Sequence, residues 1–205
     1  MENSVIIEEF GPRVKSVWNG LRPATRNLIE RVWRSPSTAS TTEIARTAPY
    51  DPRADRELSQ LLAALDERAA NRGGAKDDES SSQARRLADA CANMLTQQTQ
   101  SGEVFAQLIQ RAHSRQEFAR IDELANGMAS RLAPSELCEL ARSSNVVVRA
   151  LAHEVLAQAP ASLLRALLHD PIDAEVARSV LERQAHEFGS AEARQALREF
   201  EEFGN

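Results

Sequence analysis

The chain has 205 residues, of which 42% are hydrophobic and 27% charged, with a net charge of −5. That is the make-up of a soluble globular protein with room for one large or two small domains. It excludes a membrane-spanning helix, because no apolar run reaches bilayer length, and it weighs against a general nucleic-acid binder, which needs a basic field.

Aromatic residues are scarce at 4%, alanine and leucine are plentiful, and alternating Val/Ile/Thr runs are absent. The expected class is all-α, with no β-sheet. The first residues, MENSVIIEEFGP, lack a charged n-region and an apolar h-region, so no secretory signal is expected and the location is taken as cytoplasmic.

Val5, Ile6, Ile7 and Phe10 read as an apolar arm. Pro12 opens a short helix carrying Val14, Val17 and Trp18, closed by Gly20. Pro23 opens a second helix, with Leu28, Ile29, Val32 and Trp33 as its stripe. Arg22, Arg26, Arg31 and Arg34 do not gather on one side, so they read as a solvated surface. Residues 35–42 are a Ser/Thr/Pro loop, and Ser40 with Glu43 is a capping-box pattern for a short helix. Asp51-Pro52 then starts a long helix with a Leu58, Leu61, Leu62, Leu65 seam.

Residues 72–82, RGGAKDDESSS, offer nothing apolar to bury and read as a flexible linker. It separates an N-terminal helical subdomain, 1–71, from a second domain, 83–205. No strand precedes Gly73-Gly74 and no Gly-Lys-Ser/Thr follows, so a phosphate-binding loop lacks its context. Beyond it, Leu87, Ala88, Cys91, Met94 and Leu95 line one helix, and Val104, Phe105, Leu108, Ile109 and Ala112 the next. Ser114 with Glu117 is a second capping-box pattern, before a helix lined by Phe118, Ile121, Leu124, Ala125 and Met128. Gly127 within that helix is expected to loosen it.

Residues 137–185 hold two similar halves. Each is an apolar helix, a polar break and a second amphipathic helix. Leu137, Leu140 and Ala141 in the first match Leu164, Leu167 and Leu168 in the second. Val147, Val148, Leu151, Ala152, Val155 and Leu156 match Val176, Ala177, Val180 and Leu181. Val148 and Val176 stand 28 residues apart, within the range of stacked helical repeats. Each stripe is wider than a lone pair can hide, so a neighbouring pair must cover it. Ser144-Asn145, Asp170 and Asp173 are capping residues for the second helices, and Pro134 and Pro160 open the first ones. Gly189-Ser190 separates off a last helix with Ala193, Leu197 and Phe200. Its end carries Glu199, Glu201 and Glu202, where the helix dipole prefers cations, so it is expected to fray or to meet a basic surface.

Ser143-Ser144-Asn145-Val146-Val147-Val148-Arg149 with Leu151, Ala152 and Leu156 resembles the turn and inner helix of a HEAT repeat. Leu167-Leu168-His169-Asp170-Pro171 with Glu175-Val176 is similar to the same feature. Arg149 matches the pattern's arginine. In the second half Ala177 takes that place and Arg178 follows one position late, as if a residue were inserted in the turn.

The resemblance implies a short α-solenoid whose second helices present a binding surface, here Arg149, His153, Arg178 and Glu182, for a protein partner. For Arg149 it also implies a role in stacking. The expected function is a non-enzymatic interaction module. HEAT-like folds also include enzymes and nucleic-acid binders, such as alkyl-purine DNA glycosylases and bilin lyases. A glycosylase of that type needs a basic, aromatic-lined groove, whereas Trp18 and Trp33 read as buried. Self-association through the ends of a short array is the third reading.

Sequence signals of catalysis are few. His153-Glu154 and His186-Glu187 lack a second histidine at i+4, so the zinc-protease signature is absent. There is no G-x-S-x-G elbow. No metal or cofactor is expected, and Cys91 and Cys138 read as reduced, buried thiols.

Overall fold

A computed structural model describes residues 7–34, 50–70 and 77–203. The described residues are all-helical: one 3-10 turn, eleven α-helices and no strand. The expected arm at Val5 and Ile6, the loop at 35–42 and the Ser40–Glu43 cap lie outside them. None of the helices described is long and apolar enough to cross a membrane.

Two compact units divide the chain, Met1–Val104 and Phe105–Asn205. The first holds the 3-10 turn Ile7–Phe10, α1 (Pro12–Gly20), α2 (Pro23–Arg34), α3 (Pro52–Ala70) and α4 (Asp77–Gln98). α3 and α4 pack along each other, and α1, α2 and the 3-10 turn close over them. Leu58, Leu61, Leu62 and Leu65 from α3 and Leu87, Cys91, Met94 and Leu95 from α4 are fully buried, as their spacing predicts.

Of the linker expected at 72–82, residues 72–76 lie outside the described residues. Residues 77–82 are the first turns of α4. Ser81 is buried, and Ser80 Oγ donates to the Glu9 carbonyl at 2.9 Å. A polar stretch is held helical here by a contact 71 residues away, which local composition does not record. The two units meet within the first turn of α5 (Gly102–Ser114).

Arg22, 35% exposed, is ion-paired rather than a charge alone in solvent. Its Nε donates to Glu57 at 2.9 Å and its Nη2 to Asp51 at 2.8 Å, and Thr25 Oγ1 also donates to Glu57. Asp51 caps α3, accepting from the Arg53 N–H at 2.9 Å. That N–H and the Arg22 guanidinium hold the Asp51 carboxyl below its ordinary pKa. Deeper in the unit, buried Asp55 accepts from Thr99 Oγ1 at 2.7 Å and from the Tyr50 hydroxyl at 3.3 Å. Trp18 and Trp33 are only half-buried, and the Arg86 guanidinium sits 5.5 Å from the Trp33 ring centre.

The second unit runs on from α5 through α6 (Phe118–Arg131), α7 (Pro134–Ala141), α8 (Val146–Ala157), α9 (Ala161–Leu167), α10 (Ala174–His186) and α11 (Ala191–Phe203). α7 packs on α8 and α9 on α10. α8 also meets α6 and α10, and α11 meets both α9 and α10.

The Ser114–Glu117 cap does not form. Ser114 Oγ donates to the Arg111 carbonyl at 2.8 Å, and Glu117 begins α6 with no side-chain cap. Instead Gln116 takes φ +59, so that its N–H reaches His113 O and the Glu117 N–H reaches Ala112 O. This is the glycine-type closure of a helix end, made with a glutamine. Phe118, expected to line α6, is 64% exposed. Gly127 has a packing reason: a Cβ there would lie 2.2 Å from Arg131 Nη2 and 3.2 Å from Phe105. The absent side chain lets the Arg131 guanidinium lie 5.0 Å from the Phe105 ring centre.

Candidate functional site

The second-helix surface starts with how α8 and α10 are fixed. Asn145 caps α8, its Oδ1 accepting from the Val147 and Val148 N–H groups at 3.0 and 3.2 Å. Arg149 then folds back along its own helix, and its Nη1 donates to the Ser143 carbonyl at 2.7 Å. This bond ties Arg149 to the turn of its own helix pair.

In the second half the capping is shared differently. Asp170 Oδ1 accepts from the Ile172 and Asp173 N–H groups at 2.8 and 3.2 Å, turning the chain after Pro171. Asp173, the expected cap of α10, makes no cap hydrogen bond. Its buried carboxylate accepts from Arg142 Nη1 at 2.7 Å, and the same nitrogen reaches the Ile172 carbonyl at 3.2 Å. One turn is thereby tied to the other. Cys138 lies nearby, fully buried. Burial, with Asp173 next in effect, pushes its thiol pKa up to about 11. Both cysteines are buried, and neither is in a disulfide.

Two further ties join α8 to α10. Gln184 Nε2 donates to the carbonyls of Ala157 and Ala159 at 3.0 and 2.7 Å, completing the end of α8. Arg183 pairs with Glu154 at 3.0 Å and with Glu187 at 2.8 Å. Its guanidinium also lies 5.6 Å from the centre of the exposed Phe188 ring. Burial, and then the charges of Arg149 and Arg183, lower the His153 pKa from its ordinary value.

The four residues expected to form one surface therefore fall into two neighbourhoods. Arg149 and His153 belong with Glu154 and Arg183. Arg178 and Glu182, both exposed, pair with each other at 3.7 Å, and Arg178 also reaches Glu201 of α11 at 3.9 Å. The Arg178 guanidinium stands 5.9 Å from the Phe200 ring centre. His169 approaches the same ring at 5.6 Å, and Arg165 of α9 pairs with Glu199 at 2.8 Å. The acidic end of α11 meets a basic surface within its own unit.

The sequence reading missed Arg142, Asp173 as its acceptor, Arg183 and Gln184. Only the 28-residue period could have pointed to them, by placing the two turns side by side. Among the described residues, no three His, Cys, Asp or Glu side chains are grouped to hold a metal ion. Comparisons with family models, with curated proteins and with solved structures give no match.

Proposed function

We propose that residues 137–185 are a HEAT-like helical array that binds another protein, non-catalytically, through the exposed polar faces of α8 and α10. One observation carries this reading. Successive helix pairs are joined at matching points, turn to turn by Arg142–Asp173 and second helix to second helix by Gln184 and Arg183. Such ties hold two second helices in fixed register, which is what a rigid recognition surface needs. Exposed Ala150, Glu154, Ser179, Glu182 and His186, with half-buried His153, lie on those helices.

The test uses Ala150→Arg with Glu182→Arg, two exposed positions whose change leaves the ties intact. The full chain and this variant are compared as bait in source-cell lysate, and any captured protein is purified and re-bound. A partner that binds the wild type and loses at least tenfold affinity for the variant is the expected result. A partner indifferent to the variant, or no stoichiometric partner, overturns the reading.

A further inference from the structure

α11 is held in place by contacts that are unlike those of the rest of its unit. Its fully buried side chains are small, Ala193 and Ala196. Leu197 and Phe200 are only half-buried. Together these four positions make a narrow helical stripe at i, i+3, i+4 and i+7. The remaining hold is the contact of Phe200 with His169 and Arg178, and exposed ion pairs. Arg165 is 58% exposed in its pair with Glu199, and Arg178 is 48% exposed in its contact with Glu201. Exposed pairs of this kind contribute little and are screened by salt.

The seat itself is incompletely filled. A cleft of about 160 Å³ remains between α9 and α11, lined by Ala161, Ser162, Arg165, Glu192, Gln195 and Ala196. α11 is joined to α10 by a short connection in which Gly189 takes φ +65. Ser190 caps α11, its Oγ accepting from the Ala193 N–H at 3.2 Å. The Ser190 N–H also reaches the Gln184 carbonyl of α10 at 3.0 Å, so Ser190 anchors the connection to α10 while its side chain starts α11.

We infer that the face of α9 and α10 beneath α11 is a docking groove for an acidic amphipathic helix of a partner protein, occupied in cis by α11. The chemistry of the partner is read from α11: small residues where it sits deepest, one aromatic a turn further on, and carboxylates beside that aromatic. Arg165, His169 and Arg178 are the groove's complement to that pattern. This deepens the interaction reading and rests on it. It adds that part of the binding surface is covered until α11 is displaced. A helix laid in a groove is a common recognition mode, and a tethered competitor weakens the partner's apparent affinity by the fraction of time it is bound.

The test uses a labelled synthetic peptide of residues 190–203 and the full chain. Glu199→Arg with Glu201→Arg, facing Arg165 and Arg178, releases α11. Fluorescence anisotropy is expected to show the peptide binding this variant at least tenfold more tightly than the wild type. The same peptide carrying Glu199→Arg and Glu201→Arg is expected to bind that variant at least tenfold more weakly.

In the wild-type chain, hydrogen exchange of α11 amides is expected to run at least tenfold faster than in α10, and faster still at high salt. Equal exchange of α10 and α11 overturns the proposal, and that measurement needs no variant to fold. So does failure of the peptide to bind a chain whose α11 amides are exposed. A dimer of the release variant that excess peptide does not dissociate also overturns it, in favour of α11 exchange between copies. The peptide reads the groove alone, so it can fail while the lysate experiment on α8 and α10 succeeds.

Discussion

The turns before α8 and α10 begin from the same pattern and use it differently. In the first, asparagine caps the helix and the arginine four residues on, Arg149, bends back to a turn carbonyl. In the second, one aspartate makes the turn and the other is given to Arg142. The arginine comes one residue late, and one residue on a helix is about 100°. Arg178 therefore misses its turn and meets Phe200 and Glu201 instead. A single extra residue separates an arginine that stabilises its own hairpin from one that receives the next helix.

Mutations sharpen this contrast in order of size. Asp173→Ala removes the buried acceptor of Arg142 and is expected to destabilise the chain by about 2 kcal/mol in urea unfolding. If the loss is instead near zero, the tie between turns is ornamental. Asn145→Ala deletes the working cap of α8 and should cost about 1 kcal/mol. Replacing Gln116 by glycine relieves the left-handed backbone and should stabilise by somewhat under 1 kcal/mol in the same assay.

Smaller effects belong to the surface. Arg178→Ala should change stability by less than about 1 kcal/mol, and less in high salt. His153 has a lowered pKa in the folded chain, so the unfolded chain binds the proton more readily. Its contribution is complete above the unfolded value of about 6.5 and is lost as pH falls below it toward the folded pKa. His153→Gln should flatten the fall of Tm between pH 7 and 5, and an unchanged slope would place the histidine in water.

Much of the fold was legible because helices repeat their apolar residues every three or four positions. Leu58 to Leu65, Val148 to Leu156 and Val176 to Leu181 announce their buried faces. The prolines at 12, 23, 52 and 134 mark helix starts. What stayed hidden depends on partners far along the chain. Ser80 looks like linker until Glu9 is beside it, and Arg22 looks solvated until Asp51 and Glu57 are. Ser114 and Glu117 have the right spacing for a cap, but α5 runs on to Ser114 and closes through Gln116. For the candidate surface, the pattern located the helices but not the rotation of Arg178.

The amide of Gln184 carries a consequence for how the chain assembles. The last turn of α8 has no complete set of donors for its carbonyls until a side chain from α10 arrives, 27 residues later. Synthesis from the ribosome therefore passes through a stage in which the first pair exists and its end is open to water. A chain cut between Ala159 and Ala174 should show a frayed, protease-sensitive α8, and adding α10 should restore order to both helices together. Gln184 thus completes a helix to which it does not belong.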